Sequence, residues 1–324
     1  MPALAPAVDS ELAADVLAGL VRSGQKELPS RWLYDQLGSA LFDAITLLPE
    51  YGLTRADARL LKANAEAIAA ALPGQFAIAE LGSGSGMKTK WILEAFARRG
   101  PTNYFPIDVS GTALESCSLT LRTIPGVRLT EVHATYLDGL AQALEQRSAG
   151  QRMLVLFLGS TIGNFDFPAA RGFLSQLRTL LSPGDALLLG ADLVKPLSQM
   201  LEGYDDPTGV TAAFNLNVLA RINRELGADF DLRQFQHQAC FDSDESRIEM
   251  HLRARSAQIV NVAAIDRQIR FEAGESIWTE SSYKFRRTEI LDLAQAAGFE
   301  TRAQWVDEEW PFAETLLTVR ERAK

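Results

Sequence analysis

Between residues 75 and 193, short apolar runs alternate with stretches of helical periodicity, and this alternation restricts the fold more than any other feature of the chain. The apolar runs are FAIAEL, NYFPIDVS, VRLTEVHATY, RMLVLFLG and DALLLGADL, each read as a strand. Helices predicted over about 88–98, 110–123, 138–147 and 168–181 separate them. Strands alternating with helices predict a parallel sheet covered on both sides.

After Lys195-Pro196 the rhythm stops. TAAFNLNVLARINRELG reads as a helix, while SRIEMHLRARS and AQIVNVA alternate apolar and polar residues, the pattern of antiparallel strands with one wet face. RTEILDLAQAAGF is a helix stopped by Gly298, and ETRAQWVDE and AETLLTVRE follow as a closing hairpin. Near the N-terminus DSELAADVLAGLVRS has helical spacing with Asp9 or Ser10 as N-cap. Two further helices flank the loop LPEYGLT, punctuated by Pro49 and Gly52. Two domains are expected: 61–196 with about 286–324, and 1–60 with 197–285.

Lys and Arg total 32 against 41 Asp and Glu, a net charge of -9. That balance argues against broad binding of a nucleic-acid backbone, which needs basic surface. Cys117 and Cys240 are too few for a disulfide framework, and His133, His237 and His251 lack paired-ligand spacing, so no metal is expected. The N-terminus has neither the basic start nor the apolar core of a signal peptide, and no apolar run approaches the roughly 20 residues that span a bilayer. A cytoplasmic protein without membrane contact is expected, and a monomer.

The chemistry concentrates in AELGSGSGMK, which directly follows the first strand. A phosphate loop needs GxxxxGK[ST], which is absent, and a dinucleotide GxGxxG would require glycine where Met87 stands. What is present is an acid followed by GxGxG: Glu80, Gly82, Gly84 and Gly86. Asp108 ends the second strand, where such folds place a carboxylate for the ribose hydroxyls. Together with LSPGDALLLGADL, the set resembles class I S-adenosylmethionine-dependent methyltransferases.

A narrower resemblance rests on RWLYDQLGSALFDAITLLPEYGLTRAD, ELGSGSGMKT, FLGSTIGNF, LLLGADLVK, YDDPTGVTAAFNLNVLARINRELGADF, RIEMHLRA and ESIWTESSYKF. In this order they are similar to the histidine-specific N-α-methyltransferases of ergothioneine biosynthesis, from about residue 28 to 300. The resemblance implies an α/β fold, a Rossmann-like class I methyltransferase sheet that is mostly parallel with a C-terminal antiparallel hairpin, and a second α+β substrate domain. It implies three methyl transfers from S-adenosylmethionine to the α-amine of L-histidine, through the mono- and dimethyl forms, giving hercynine.

By the same resemblance Gly82, Lys88, Asp108 and Thr135-Tyr136 line the cofactor site, with Gly84 and Gly86 in its loop. Tyr51, Asn164 and Tyr204 surround the amino acid's carboxylate and amine, and Glu280 with Ser281 and Ser282 reads the imidazole. Phenols and an amide can donate to a carboxylate, and the Asn164 carbonyl can accept from an amine, so Asn164 and Tyr204 are expected to aim the amine without a dedicated base. Met250 is expected to pack beside the ring. The chain departs from the family at Thr135-Tyr136, where Asp-Phe is usual, and at Gly52-Leu53, where Tyr-Pro follows the tyrosine. Two alternatives stay open: a methyltransferase for another aromatic amino acid or amine such as a tryptophan derivative, and a catalytically silent cofactor-binding module.

Overall fold

Phe76–Leu81 is buried at every position and forms the centre of a large sheet in the computed structural model, which describes residues 10–319. Across that sheet the strands run Glu300–Asp307, Phe312–Thr318, Ala186–Asp192, Arg152–Phe157, Phe76–Leu81, Thr102–Asp108 and Val127–Leu129, with Val132–His133 also on Thr102–Asp108. From Ala186–Asp192 to the Val127–Leu129 edge all pairings are parallel, and the last two strands add an antiparallel hairpin. The fold is the expected α/β class. Chain order reverses between Phe76–Leu81 and Arg152–Phe157, and ligands of open α/β sheets bind beyond the C-terminal strand ends at such a point.

Helices cover both faces. On one, Ile68, Ala69, Ile92 and Phe96 pack on Ile78, Leu154 and Leu188; on the other, Leu140, Leu174, Leu177 and Leu293 pack on Ala77, Val155 and Leu187. Doubly buried strands explain why these runs are apolar throughout. One run departs from the reading. VRLTEVHATY is not a single strand but two short ones, and Thr135, extended at ψ 165, starts the helix Tyr136–Gln146.

The described residues divide into two compact units: Leu53–Lys195 with 283–319, and 10–52 with Pro196–Ser282. The first boundary falls before Leu53–Ala71, not near residue 60, because that whole helix packs on the sheet through Leu61, Ala65 and Ile68 and Arg59 bonds Asp307 at 2.7 Å. The second unit holds a four-stranded sheet in the order Lys26–Glu27, Ser276–Tyr283, Arg247–Ala254, Phe235–Asp242, and a separate hairpin of Gln258–Val262 with Arg267–Phe271. Ser10 opens its first helix, and the other candidate cap, Asp9, lies outside the described residues. Among the described residues no helix is long and apolar enough to cross a membrane.

Candidate functional site

In the sheet unit the glycine loop is fastened to the neighbouring strand end. The amides of Gly82 and Ser83 both donate to the Ile107 carbonyl, at 2.8 and 3.2 Å, and Gly86 N–H closes a turn onto Ser83 at 3.0 Å. Gly86 has φ +69, and a Cβ there would come within 2.7 Å of Leu121 and 2.8 Å of the Cys117 sulfur, so only glycine fits without displacing the helix behind it. Asp108 accepts from Gly84 N–H at 3.2 Å through one oxygen and from Ser110 N–H at 2.9 Å through the other. Each oxygen retains a lone pair for a further donor.

Beside the loop the Tyr136 ring lies 3.4 Å from where a Gly82 Cβ would stand, and it is held edge-on by Phe157 and Phe173. Burial and then the Asp108 charge push its phenol up to about 12, so it stays neutral. Space over Gly84 is open. A carboxylate at a strand end, an aromatic ring and open backbone fit a nucleoside with a sulfonium side chain.

Glu80 is enclosed beneath the loop and takes the Thr89 hydroxyl at 2.8 Å together with the Tyr104 hydroxyl. Burial pushes its carboxyl up to about 7, against the pull of Tyr104, Thr89 and Lys88. Lys88 pairs with the fully enclosed Asp57, yet keeps 24 % of its side chain exposed. Thr135, the residue in place of the family's acid, donates its hydroxyl to Asp138 at 2.6 Å, so a carboxylate stands three residues along in the first helical turn. Asn164 ends a 3-10 turn after the Arg152–Phe157 strand, exposed at the same C-terminal edge of the sheet.

In the other unit the structure brings together Tyr51, Tyr204, Glu280 and Ser282. A run of edge contacts links Phe214, Tyr34, Phe42, Tyr51 and Tyr204 with ring centroids 5.3 to 6.2 Å apart, the offset geometry that aromatic quadrupoles favour. Tyr34 donates its hydroxyl to Glu280 at 3.4 Å, and the hydroxyls of Tyr204 and Ser282 lie 2.7 Å apart. The aromatic wall thus carries a carboxylate and hydroxyls, which suits a polar planar ring better than an apolar one.

Ser281 is half-buried within the Ser276–Tyr283 strand. Met250 is buried in the adjacent strand, and its carbonyl accepts from the Thr279 hydroxyl at 2.9 Å. Tyr51 is 7 % exposed and held by Phe42 and Tyr204, so glycine at 52 leaves its ring anchored.

Tyr34 escaped the sequence reading although it lies in RWLYDQLGS. Its position is set by Asp35, which caps the Gln36–Leu47 helix by accepting from Gly38 N–H at 2.7 Å and also takes the Asn217 amide at 2.7 Å. His237 also escaped: its Nε2 faces the Tyr204 carbonyl at 2.8 Å and its Nδ1 faces the Asn215 amide at 2.9 Å. Donation from Nε2 and acceptance at Nδ1 satisfy both, which makes the ring neutral, and burial lowers its pKa.

Cys240, Glu249 and His251 converge on one sheet face with donor atoms within 4.8 Å of one another. Arg247 already lies 2.6 Å from Glu249 and neutralises that carboxylate, which opposes a cation there.

A family model described as histidine-specific, S-adenosylmethionine-dependent methyltransferase matches residues 12–319. The chain is 47% identical over 309 residues to the histidine N-alpha-methyltransferase of Mycolicibacterium smegmatis, spanning 94% of each chain. It is 44% identical over 307 residues to the enzyme of that name from Mycobacterium tuberculosis, again spanning 94% of each. A more distant relative is the L-tryptophan methyltransferase of Psilocybe serbica, 27% identical over 340 residues, spanning 95% of this chain and 92% of the relative. With the glycine loop, Asp108 and the polar aromatic set in place, the chain belongs to the histidine-specific, S-adenosylmethionine-dependent methyltransferases.

Proposed function

We propose that this protein methylates the α-amine of L-histidine three times in succession and releases hercynine, the betaine that ergothioneine biosynthesis consumes. The observation that carries the substrate is the placement of Glu280 and Ser282 on an aromatic wall, where Tyr34 and Tyr204 hold them. A carboxylate accepts from one imidazole N–H and a hydroxyl serves the other nitrogen, whereas indole has one N–H and no second ring nitrogen for the hydroxyl. The tryptophan reading is the weaker one for that reason.

Bound at the glycine loop, S-adenosylmethionine supplies an electrophilic methyl on a sulfonium. Asp108 takes the ribose hydroxyls, Tyr136 flanks the adenine and Lys88 meets the carboxylate. Tyr51, Tyr204 and Asn164 receive the amino acid's carboxylate and amine. An amine attacks in line with the departing sulfur, so these residues orient and exclude water, with no covalent step on the protein. The attacking amine loses its proton to solvent before the transfer, and Asn164 then aims the lone pair through its carbonyl. Full turnover by Asn164→Ala would remove that role.

We read the protein as a cytoplasmic monomer acting on a small molecule, in keeping with its net charge of -9 and two cysteines. Incubation with methyl donor and each amino acid, followed by mass spectrometry, tests the function. Histidine should gain one, two and three methyl groups. No methylation of histidine or of its mono- and dimethyl forms would end the proposal.

A further inference from the structure

We propose that Asp57 and Glu314 share a single proton, and that this pair fixes the Lys88 ammonium where it meets the carboxylate of the methyl donor. The inference rests on the reading of Lys88 as a cofactor contact. Asp57 belongs to the first turns of the Leu53–Ala71 helix, and Glu314 lies within the Phe312–Thr318 strand. Their residues are 0% and 1% exposed. Glu314 pairs with Gly190 on the next strand, where a Cβ would stand 2.8 Å from the Glu314 carboxyl. Glycine there leaves room for an acid in an otherwise apolar layer.

Donors are unevenly shared. One Asp57 oxygen takes the Lys88 ammonium and the Gly159 amide, the latter at 3.0 Å. Among the described residues, the other Asp57 oxygen and both Glu314 oxygens are buried with no N–H or O–H directed at them from another group. The Gly159 nitrogen that donates to Asp57 lies 3.3 Å from the same Gly190 Cβ position, so the two carboxyls converge there, and burial and then the Asp57 charge raise the Glu314 carboxyl well above the usual carboxylate range. Two facing carboxylates away from water cannot both ionise, and one proton between them serves both groups.

Glu80 is the remaining acid near Lys88, and its oxygens are taken by Thr89 and Tyr104. The cluster of Asp57, Glu314 and Lys88 then carries one negative and one positive charge. A second negative charge would draw the ammonium inward. With Glu314 protonated, Lys88 spends one donor on Asp57 and turns the rest toward its exposed side. Asp57 and Glu314 are therefore positioning residues.

The test titrates wild type, K88M, D57N, E314Q and E314L with S-adenosylhomocysteine and with adenosine, which lacks the carboxylate. K88M and D57N should weaken S-adenosylhomocysteine about tenfold or more and leave adenosine unchanged. E314L should lose about tenfold, and E314Q should restore binding to within about threefold, because its amide donates to Asp57 as the acid does. In turnover, the loss should fall on KM for the methyl donor and not on kcat. Infrared difference spectra of wild type and E314Q should show a protonated carboxylic C=O stretch at neutral pH that the variant lacks.

Unchanged affinity in K88M would defeat the reading of Lys88. Weak binding by K88M with wild-type binding by D57N and E314L would overturn the positioning pair alone. Should D57N or E314L fail to fold, the infrared band decides, and its absence from the difference spectrum overturns the proposal.

Discussion

The hydroxyls of Tyr204 and Ser282 lie 2.7 Å apart although 78 positions separate them in the chain. Tyr204 is also held from behind, because His237 faces its backbone carbonyl at 2.8 Å. The pair should act as one unit on the substrate. Tyr204→Phe and Ser282→Ala should each raise KM for histidine about tenfold, and the double variant should fall short of the product of the two losses, since contacting residues couple. Steady-state methylation rates for the four proteins measure this, and full multiplicativity would show that the two hydroxyls act separately.

His237 gives that pair a dependence on pH. Its pKa is lowered by burial, so the folded protein holds it neutral while the unfolded chain is protonated below its ordinary value near 6.5. In the window below that value the unfolded state binds more protons, and stability falls as pH falls. Protonation would also place N–H at both ring nitrogens and lose the acceptor for Asn215. His237→Gln should flatten the acid limb of the histidine-methylation profile, with a readout in KM; an unchanged acid limb would clear His237 of the role.

In the proposed cofactor site, Asp108 and the Thr135–Asp138 pair would divide recognition. Asp108→Ala should weaken S-adenosylhomocysteine about tenfold to a hundredfold, the range for hydrogen bonds to a charged group. At the other end, Asp138→Asn should weaken it more than Thr135→Val, since the carboxylate is the stronger acceptor of the two. Calorimetric titration distinguishes these, and a larger loss from Thr135→Val would return the role to the hydroxyl.

The central sheet was legible because doubly buried strands can only be apolar, and FAIAEL matches its strand residue for residue. Phe235–Asp242 was not read as a strand because its polar residues hide its pattern. His237 is buried there, made tolerable by Asn215 and the Tyr204 carbonyl. In the site, Glu280 and Ser282 could be named from the family motif, but Tyr34 could not, because its importance lies in contacts with residues far along the chain. Glu314 did carry a signal: an acid inside the apolar run FAETLLT is a buried polar group that must find a partner.

Glu80 makes the stability of the sheet unit sensitive near neutrality. Its folded value is about 7, raised by burial from 4.5. Between those values the unfolded chain has released the proton while the folded protein keeps it. The folded state therefore binds more protons, and stability falls as pH rises through the window. The full change is on the order of 3 kcal/mol for a shift of this size. Glu80→Gln keeps the shape and removes the titration, although its amide faces two hydroxyls that must turn. Urea unfolding from pH 5 to 7.5 should show wild type losing stability relative to Glu80→Gln as pH rises. Groups common to both proteins, Glu314 and His237 among them, cancel in that difference. A difference independent of pH would mean that Glu80 is ionised throughout, with Lys88 and the two hydroxyls outweighing its burial.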